Sequence, residues 1–498
     1  MTPRLPRVVC DLTAAALIAV ALSVALGTVS GLTWPYDGDH FRDIAQAQAT
    51  LNGHPLSDPF YAGEWVWYNP LLAWLLALVS LATGATVPLV HVQGGPWLNL
   101  LGPIAFYMLC ARIAGRPAAL VSVVLLLFVN CRTDPALTCA TYSPWLFVAT
   151  FTQGLFFLGV IAIDAAASHE SDLAAAGVGV LAGLTFLSHT APALLLAAIA
   201  AAMFTPRRLA IAGVLAAVVA SPFLVSIVAH YHLHVVNDAP VAWAWPPTTR
   251  AGIGATLLRN APLLIGGAAG AFVVRARIVY AWAGAAVMLT LYGLLREGTA
   301  LPAFVPTFHF WRYTMAAATL FAGGAVAWAI ERIAARHALL LTPALAALLT
   351  VWLLPTVPRT IRPRVRTRGC RGAQPGSQRH GDVPSQVAPG HGDRGGVERV
   401  EPRGGGTVGT SRRRCERELV EPLRSEWTSR SGARCHAGRR AGASRRRVSG
   451  SGGSPRCHAR RRARRRRVRE HGGCRPAATV SLRRRMRVRA LPLTRASG

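Results

Sequence analysis

The chain contains no lysine, so all 54 of its basic residues are arginine, a bias that points to very GC-rich coding DNA. Acidic side chains are scarce as well: 22 in 498 residues, of which only 13 fall within residues 1–358. No CxxC pair occurs among the nine cysteines, and those at 370, 415, 435, 457 and 474 are irregularly spaced, which argues against a zinc site. No Walker-type phosphate loop, paired nucleotide-binding GxGxxG or Ser-His-Asp order is present, which excludes a nucleotide-driven cytoplasmic engine.

What is present is apolar length. A hydrophobic content of 52% and a mean hydropathy of +0.34 are too high for an ordinary soluble protein. The expected fold class is all-α, a polytopic helical membrane protein with about 11–12 hydrophobic segments followed by a disordered Arg-rich tail. Hydrophobic stretches read near 8–33, 70–90, 96–113, 117–130, 144–163, 173–188, 190–204, 209–229, 255–274, 277–295, 313–331 and 338–355.

The formal charge of +32 is unevenly spread. Residues 1–358 hold 16 Arg against 13 acids, and residues 359–498 hold 38 Arg against 9 acids. The second region has no apolar periodicity, and runs such as CHARRRARRRRVRE (457–470) have no core to bury. Two domains are therefore expected, a multi-span membrane domain over 1–357 and a tail over 358–498. The tail's abrupt onset and vocabulary fit a shifted reading frame in GC-rich DNA; a genuine basic tail touching anionic lipid or nucleic acid is the alternative. No nucleic-acid-binding fold is legible, so nucleic acid is not expected as a partner.

Arginines set the expected topology under the positive-inside rule. Arg4 and Arg7 place the N-terminus in the cytoplasm, and Arg112/Arg116, Arg207/Arg208, Arg275/Arg277 and Arg332/Arg336 ask for the same side. Full crossings by both 70–90 and 96–113 would put Arg112 and Arg116 outside. Residues 70–95 are therefore expected to be re-entrant or to lie along the outer surface, as Pro70, Gly84, Pro88, Gly94 and Gly95 permit; a wrong division of the spans is the alternative.

The first span leads into an outer loop, WPYDGDHFRDIAQAQATLNGHPLSDPFYAGEWVWYNPLLAW (34–74), which carries Asp37, Asp39, Asp43, Asp58 and Glu64. Lipid anchoring does not require such a concentration of acids. Asp37 and Asp39 read either as a solvated turn or as an acid–base pair that could also hold a divalent cation. Asp43 is expected on the polar face of a short helix beside Arg42, Asp58-Pro59 in a turn, and Glu64 among interfacial aromatics. In PTFHFWRY (306–313), His309 and Arg312 are three apart and share a helical face, as phosphate ligands or as a snorkelling arginine in an aromatic belt. His189 falls at the break between two spans, as a ligand or a packed, hydrogen-bonded histidine. His230, His232 and His234 suit a metal only in an extended segment. Cys131 and Cys139 lie eight apart in one outer loop, close enough for a small-loop disulfide.

An early loop Asp (Asp37), an aromatic four residues on (Phe41), a helical stretch at 44–59, and Tyr68-Asn69-Pro70-Leu71 with Trp74 leading into an apolar helix form one pattern. That order resembles the GT-C glycosyltransferases that use polyprenyl-phosphate sugars, in particular bacterial mannosyl- and arabinosyltransferases. Gly38 stands where the family usually has Glu, and Asn69 where it often has Lys. The resemblance implies an integral membrane, inverting glycosyltransferase acting at the outer face of the cell membrane, with residues 34–69 as its catalytic loop. It implies a polyprenyl-phosphate-linked sugar as donor and an envelope glycan, lipid or protein as acceptor, in contact with membrane lipid. It implies Asp37 as base, Asp39 assisting it, and Arg312, His309 and His189 at the donor phosphate. No cofactor is assigned; a divalent cation held by Asp37 and Asp39 is the option, and whether a metal is needed stays open. The competing readings are a transporter or lipid flippase and a truncated, inactive product.

Overall fold

The computed structural model describes residues 5–130, 140–232, 249–296, 299, 301, 308–334 and 338–353, which all belong to one compact unit, residues 1–372. Cys131 and Cys139, His234 and the Arg-rich tail lie outside the described residues. Among the described residues every regular element is a helix, apart from one isolated bridge between Ser57 and Trp65. The helices are α1 (Leu5–Val29), α2 (Gly38–Leu51), α3 (Leu71–Thr83), α4 (Val87–Leu98), α5 (Leu101–Ala114), α6 (Arg116–Val124), α7 (Val148–His169), α8 (Asp172–Ser188), α9 (Thr190–Met203), α10 (Pro206–Val225), α11 (Arg250–Arg259), α12 (Ala261–Val273), α13 (Arg277–Arg296), α14 (Phe308–Ile333) and α15 (Ala338–Leu353).

Six of these stretches are long and apolar enough to cross a membrane: Arg7–Val29, Val87–Ala114, Val148–His169, Pro206–His230, Arg277–Arg296 and Phe308–Ile333. A seventh candidate is the α11–α12 pair, bent by 76°, and five shorter apolar helices complete the set. The protein is a multi-pass helical membrane protein. The segments expected at 70–90 and 96–113 divide differently, because Gly84, at φ +69, ends α3 and a new apolar stretch runs from Val87 through Ala114.

Ion pairs fix which helix ends share one end of the bundle. Arg116, the first residue of α6, reaches Asp11 near the start of α1 (2.8 Å), and Tyr107 of α5 donates to the same carboxylate (2.5 Å). Arg112 pairs with Asp164 near the end of α7 (2.6 Å), and Arg207 with Asp172 at the start of α8 (2.6 Å). Arg112, Arg116, Arg207 and Arg208 thus gather beside the beginning of α1. At its other end, the Gln93 side chain of α4 donates to the carbonyls of Val29 and Leu32 (2.9 and 2.8 Å). The run α4–α5 therefore descends antiparallel to α1, and α2 and α3, joined above it, stay at the far end. Residues 70–95 thus divide between α3 and the first part of the apolar stretch Val87–Ala114.

Residues 140–147 form a buried, non-helical segment at that far end. Its backbone is satisfied by side chains: Asn99 donates to the carbonyls of Ser143 and Trp145, Gln153 to Thr141, Asn130 to Ala140 and Tyr142 in turn to Pro96. That accounting is what allows irregular backbone at such depth. Gly95 is needed there, since a Cβ would collide with the Pro144 carbonyl. Elsewhere small residues bring helices together, as where Gly267 and Gly270 of α12 lie against Ala318 and Phe321 of α14.

Candidate functional site

The loop after α1 folds around α2. Asp37 is its N-cap, with extended backbone (φ −104, ψ 148), and accepts from the Asp39 amide at 2.9 Å. Asp39 sits in the first turn, where a negative charge meets the positive end of the helix dipole. The helix starts at Gly38 rather than at 44 and ends at Leu51, followed by Asn52 and a Gly53 with φ +86. Its buried stripe is His40, Asp43, Ile44 and Ala47, the i, i+3, i+4, i+7 spacing of one helical face, joined by Gln46.

Asp43 therefore lies on the inward face and not, as the sequence led us to expect, on the polar one; it is 5% exposed. Arg42 ties the two faces together. Its Nε and one Nη donate to Asp43 Oδ1 (3.2 and 3.0 Å), its other Nη to Asp39 Oδ1 (3.1 Å), and its guanidinium lies 4.1 Å over the Tyr68 ring. Burial pushes the Asp43 carboxyl up to about 6, against the opposing pull of Arg42. Among the described residues Asp43 Oδ2, Gln46 Nε2 and both ring nitrogens of His40 have no hydrogen-bond partner, nor do those of His91, whose ring packs on His40 at 4.8 Å. Sequence reasoning missed His40, His91 and Asp43 as a buried polar layer, because charged and amide residues on a short outer helix read as solvated.

The remaining loop acids are spoken for. Asp58 is buried and accepts from the amides of Phe60 and Tyr61 (2.8 and 3.2 Å), the turn expected of Asp58-Pro59. Glu64 accepts from the Tyr231 hydroxyl (2.9 Å) and lies 3.8 Å from His230, so the start of the HYHLH segment is docked onto the acidic loop. Among the described residues no group of three His, Cys, Asp or Glu is placed to hold a metal ion. Asp37 and Asp39 are the two carboxylates available to a divalent cation, with no third such ligand among the described residues.

The Tyr68-Asn69-Pro70-Leu71 motif attaches this loop to the bundle. The Asn69 amide donates to the Phe186 carbonyl (2.5 Å) and to Thr190 Oγ1 (3.3 Å), on either side of the break that holds His189. His189 caps both helices: its backbone is extended, and its Nδ1 accepts from the Ala191 amide at 3.2 Å. Its ring makes an edge contact with His309, the centroids 4.4 Å apart, in the first turn of α14. One turn on, Arg312 is 1% exposed among Phe310, Trp311 and Tyr313. A snorkelling arginine keeps its head in water, so that alternative does not describe Arg312. His189 lies within electrostatic reach of both Arg312 and Arg42. The structure thus brings His189 and His309 together with Arg312 one turn on, and on α2 Arg42 bonds Asp39, two residues from Asp37.

No family model matches the chain, and no curated protein matches it. Among solved structures, ArnT from Cupriavidus metallidurans in the apo state is similar over 69% of this chain and 73% of its own, at 15% identity and a TM-score of 0.44. The archaeal oligosaccharyltransferase AglB from Archaeoglobus fulgidus, solved with an inhibitory peptide and a dolichol-phosphate, is similar over 70% of this chain at 13% identity and a TM-score of 0.41. The match spans 55% of AglB. Likenesses this distant carry no functional argument, and the reading below rests on the residues.

Proposed function

We propose that the protein is an integral membrane glycosyltransferase that moves a sugar from a polyprenyl-phosphate donor to an acceptor in the cell envelope. The observation that supports this reading is the convergence at one end of the bundle of carboxylates on α2 with the buried cluster His189, His309 and Arg312. The Arg-rich end, beside the start of α1, is then cytoplasmic by the positive-inside rule, and the site faces outward.

In the reaction Asp37 takes the proton of the acceptor hydroxyl, and the oxygen attacks the anomeric carbon from the face opposite the phosphate. The anomeric carbon–oxygen bond breaks, its electron pair leaves with the lipid phosphate, and the configuration inverts. Asp39 assists Asp37. Arg312, with a planar and permanently charged fork, holds the phosphate as its charge grows, while His309 and His189 line its other side. A divalent cation serving this site would be held by Asp37 and Asp39. Charged side chains of the described helices gather at the two ends of the bundle rather than at mid-span, which favours this reading over a transporter or flippase.

The test is transfer in proteoliposomes from a set of polyprenyl-phosphate sugars to envelope extracts. Asp37→Asn should insert and purify normally and lose transfer by about 10²-fold or more, the range of a general base. An Asp37→Asn protein with undiminished transfer would sink the assignment.

A further inference from the structure

Arg42, Asp43 and Tyr68 have no task in the reaction as described. Yet Arg42 is fixed on three sides, by Asp43 through two hydrogen bonds to one oxygen, by Asp39, and by the face of Tyr68. An arginine whose side chain is 20% exposed and held this way has lost its rotamer freedom and has one direction in which to present its charge. That places it on the side of the donor cluster, because the Tyr68 ring it covers is followed directly by Asn69, which bonds Phe186 and Thr190 on either side of His189. The clamp that holds it is costly: Asp43 is buried, and its Oδ2 has no partner. A buried carboxylate half satisfied is worth keeping where the group it orients does chemistry.

The chemistry asks for a second cation. A sugar esterified to a lipid phosphate is a diester with one negative charge, and the departing lipid phosphate is a monoester that develops a second. One arginine matches the donor, and two match the charge that develops as the bond breaks, the interaction that catalysis rewards.

We propose that Asp43 is a positioning residue: it locks Arg42 against Tyr68 as a second cation, alongside Arg312, for the leaving lipid phosphate. The inference rests on the reading of the site given under Proposed function. It makes donor-phosphate affinity depend on Asp43 being ionised. The groups around that carboxylate are Arg42, Asp39 and Asp37 on α2 and Tyr68 ahead of α3; α3 carries no titratable side chain, and α4 contributes His91, packed on His40 one turn away. Burial, then Asp39 and Asp37, pushes Asp43 up to about 6 against Arg42. The clamp is therefore closed above that pH and opens as pH falls through it.

The experiment is binding of polyprenyl phosphate, which requires no knowledge of the sugar, to the full-length protein in nanodiscs between about pH 5 and pH 8. Wild type and Asp43→Asn are compared as a ratio at each pH, so that the second ionisation of the lipid phosphate, near 6 in both titrations, cancels. The ratio should be about tenfold in favour of wild type at pH 8, one charge-assisted hydrogen bond's worth, and approach one at pH 5. Arg42→Gln should match Asp43→Asn, Tyr68→Leu should lose part of the affinity, and Asp43→Glu should restore the pH-dependent ratio. Should Asp43→Asn not fold, Arg42→Gln and Tyr68→Leu carry the comparison. If Arg312→Gln loses binding while Asp43→Asn and Arg42→Gln equal wild type at every pH, the positioning role is overturned and the site reading stands. If wild type itself does not bind the lipid phosphate, both fall.

Discussion

In the proposed reaction Arg312 is the side chain that carries the donor half of the site. It is 1% exposed at the head of an apolar helix, next to the buried Phe310, Trp311 and Tyr313, where a fixed charge has traded most of its hydration for protein contacts. Removing one preorganised charge-stabilising donor from an active site costs about 10²–10³ in kcat, and Arg312→Gln should fall in that range with a normal elution profile. Arg312→Lys should recover only a part, since a point charge cannot reproduce the planar fork. Transfer assays on the two variants decide it, and equal activities for Lys and wild type would show that charge without geometry suffices. His309, by contrast, touches His189 edge-on, and His309→Phe should leave more activity than His309→Asp, which would place a carboxylate beside the phosphate.

The helix that makes the acceptor side, α2, is held by contacts that titrate. His40 is fully buried between His91 and the rings of Tyr36, Trp145 and Phe147, and burial, with help from Arg42, lowers its pKa to about 3 from 6.5. Its folded value is depressed, so the stability tied to its neutral form is fully present above 6.5 and is lost as pH falls from there toward 3. Asp43, with a raised value, contributes in the opposite sense, and the difference between wild type and His40→Phe removes that common part. Melting curves of the two proteins in detergent should diverge on acidification below about 6.5, wild type losing more, because phenylalanine fills the ring's place and cannot be protonated. Parallel curves would mean that His40 does not feel its surroundings as described. The existence of a short helix after α1 was legible in the residues; which face turned inward was not. Asp37, Asp39 and Arg42 mark the start, but Asp43 and Gln46 read as solvated until packing of Ile44 and Ala47 on Leu72, Leu76 and Val90 sets the rotation of the helix. Asn69 was legible as a motif position, whereas its bonds to Phe186 and Thr190 join segments more than 100 residues apart and leave no local trace in the sequence.

For the molecule as a whole, four of the arginines that the sequence grouped on one side, Arg112, Arg116, Arg207 and Arg208, form ion pairs at helix ends, and apolar length misjudged where one span began. Residues 70–95, expected to be re-entrant or to lie along the outer surface, divide between α3 and the head of the apolar stretch Val87–Ala114, because Leu-rich runs look alike whether they pierce a membrane or lie at its surface. The ion pairs Arg116–Asp11 and Arg112–Asp164, with Gln93 bonded to the last turn of α1, leave no room for a full crossing before Val87. The 13 residues of α3 span about 20 Å, short of the roughly 30 Å hydrocarbon layer, and exposed Leu78 and Leu81 suit a helix that lies in the interface. Single cysteines introduced at Thr83 and Gly53, in a protein whose native cysteines are replaced by alanine, should both react with a membrane-impermeant maleimide from the outer side of intact cells. A cysteine at Ser168, beside the end of α7, should react only after the membrane is opened. If Thr83 instead labels with Ser168, α3 crosses, Arg112 and Arg116 change sides relative to α2, and the outward-facing site loses its topological support. If Thr83 labels with Gly53, the loop that carries the carboxylates and the helix that follows it form one outer cap over the bundle. In the proposed reaction that cap is where α2 presents Asp37, while Asn69 ties the loop to both sides of the His189 break.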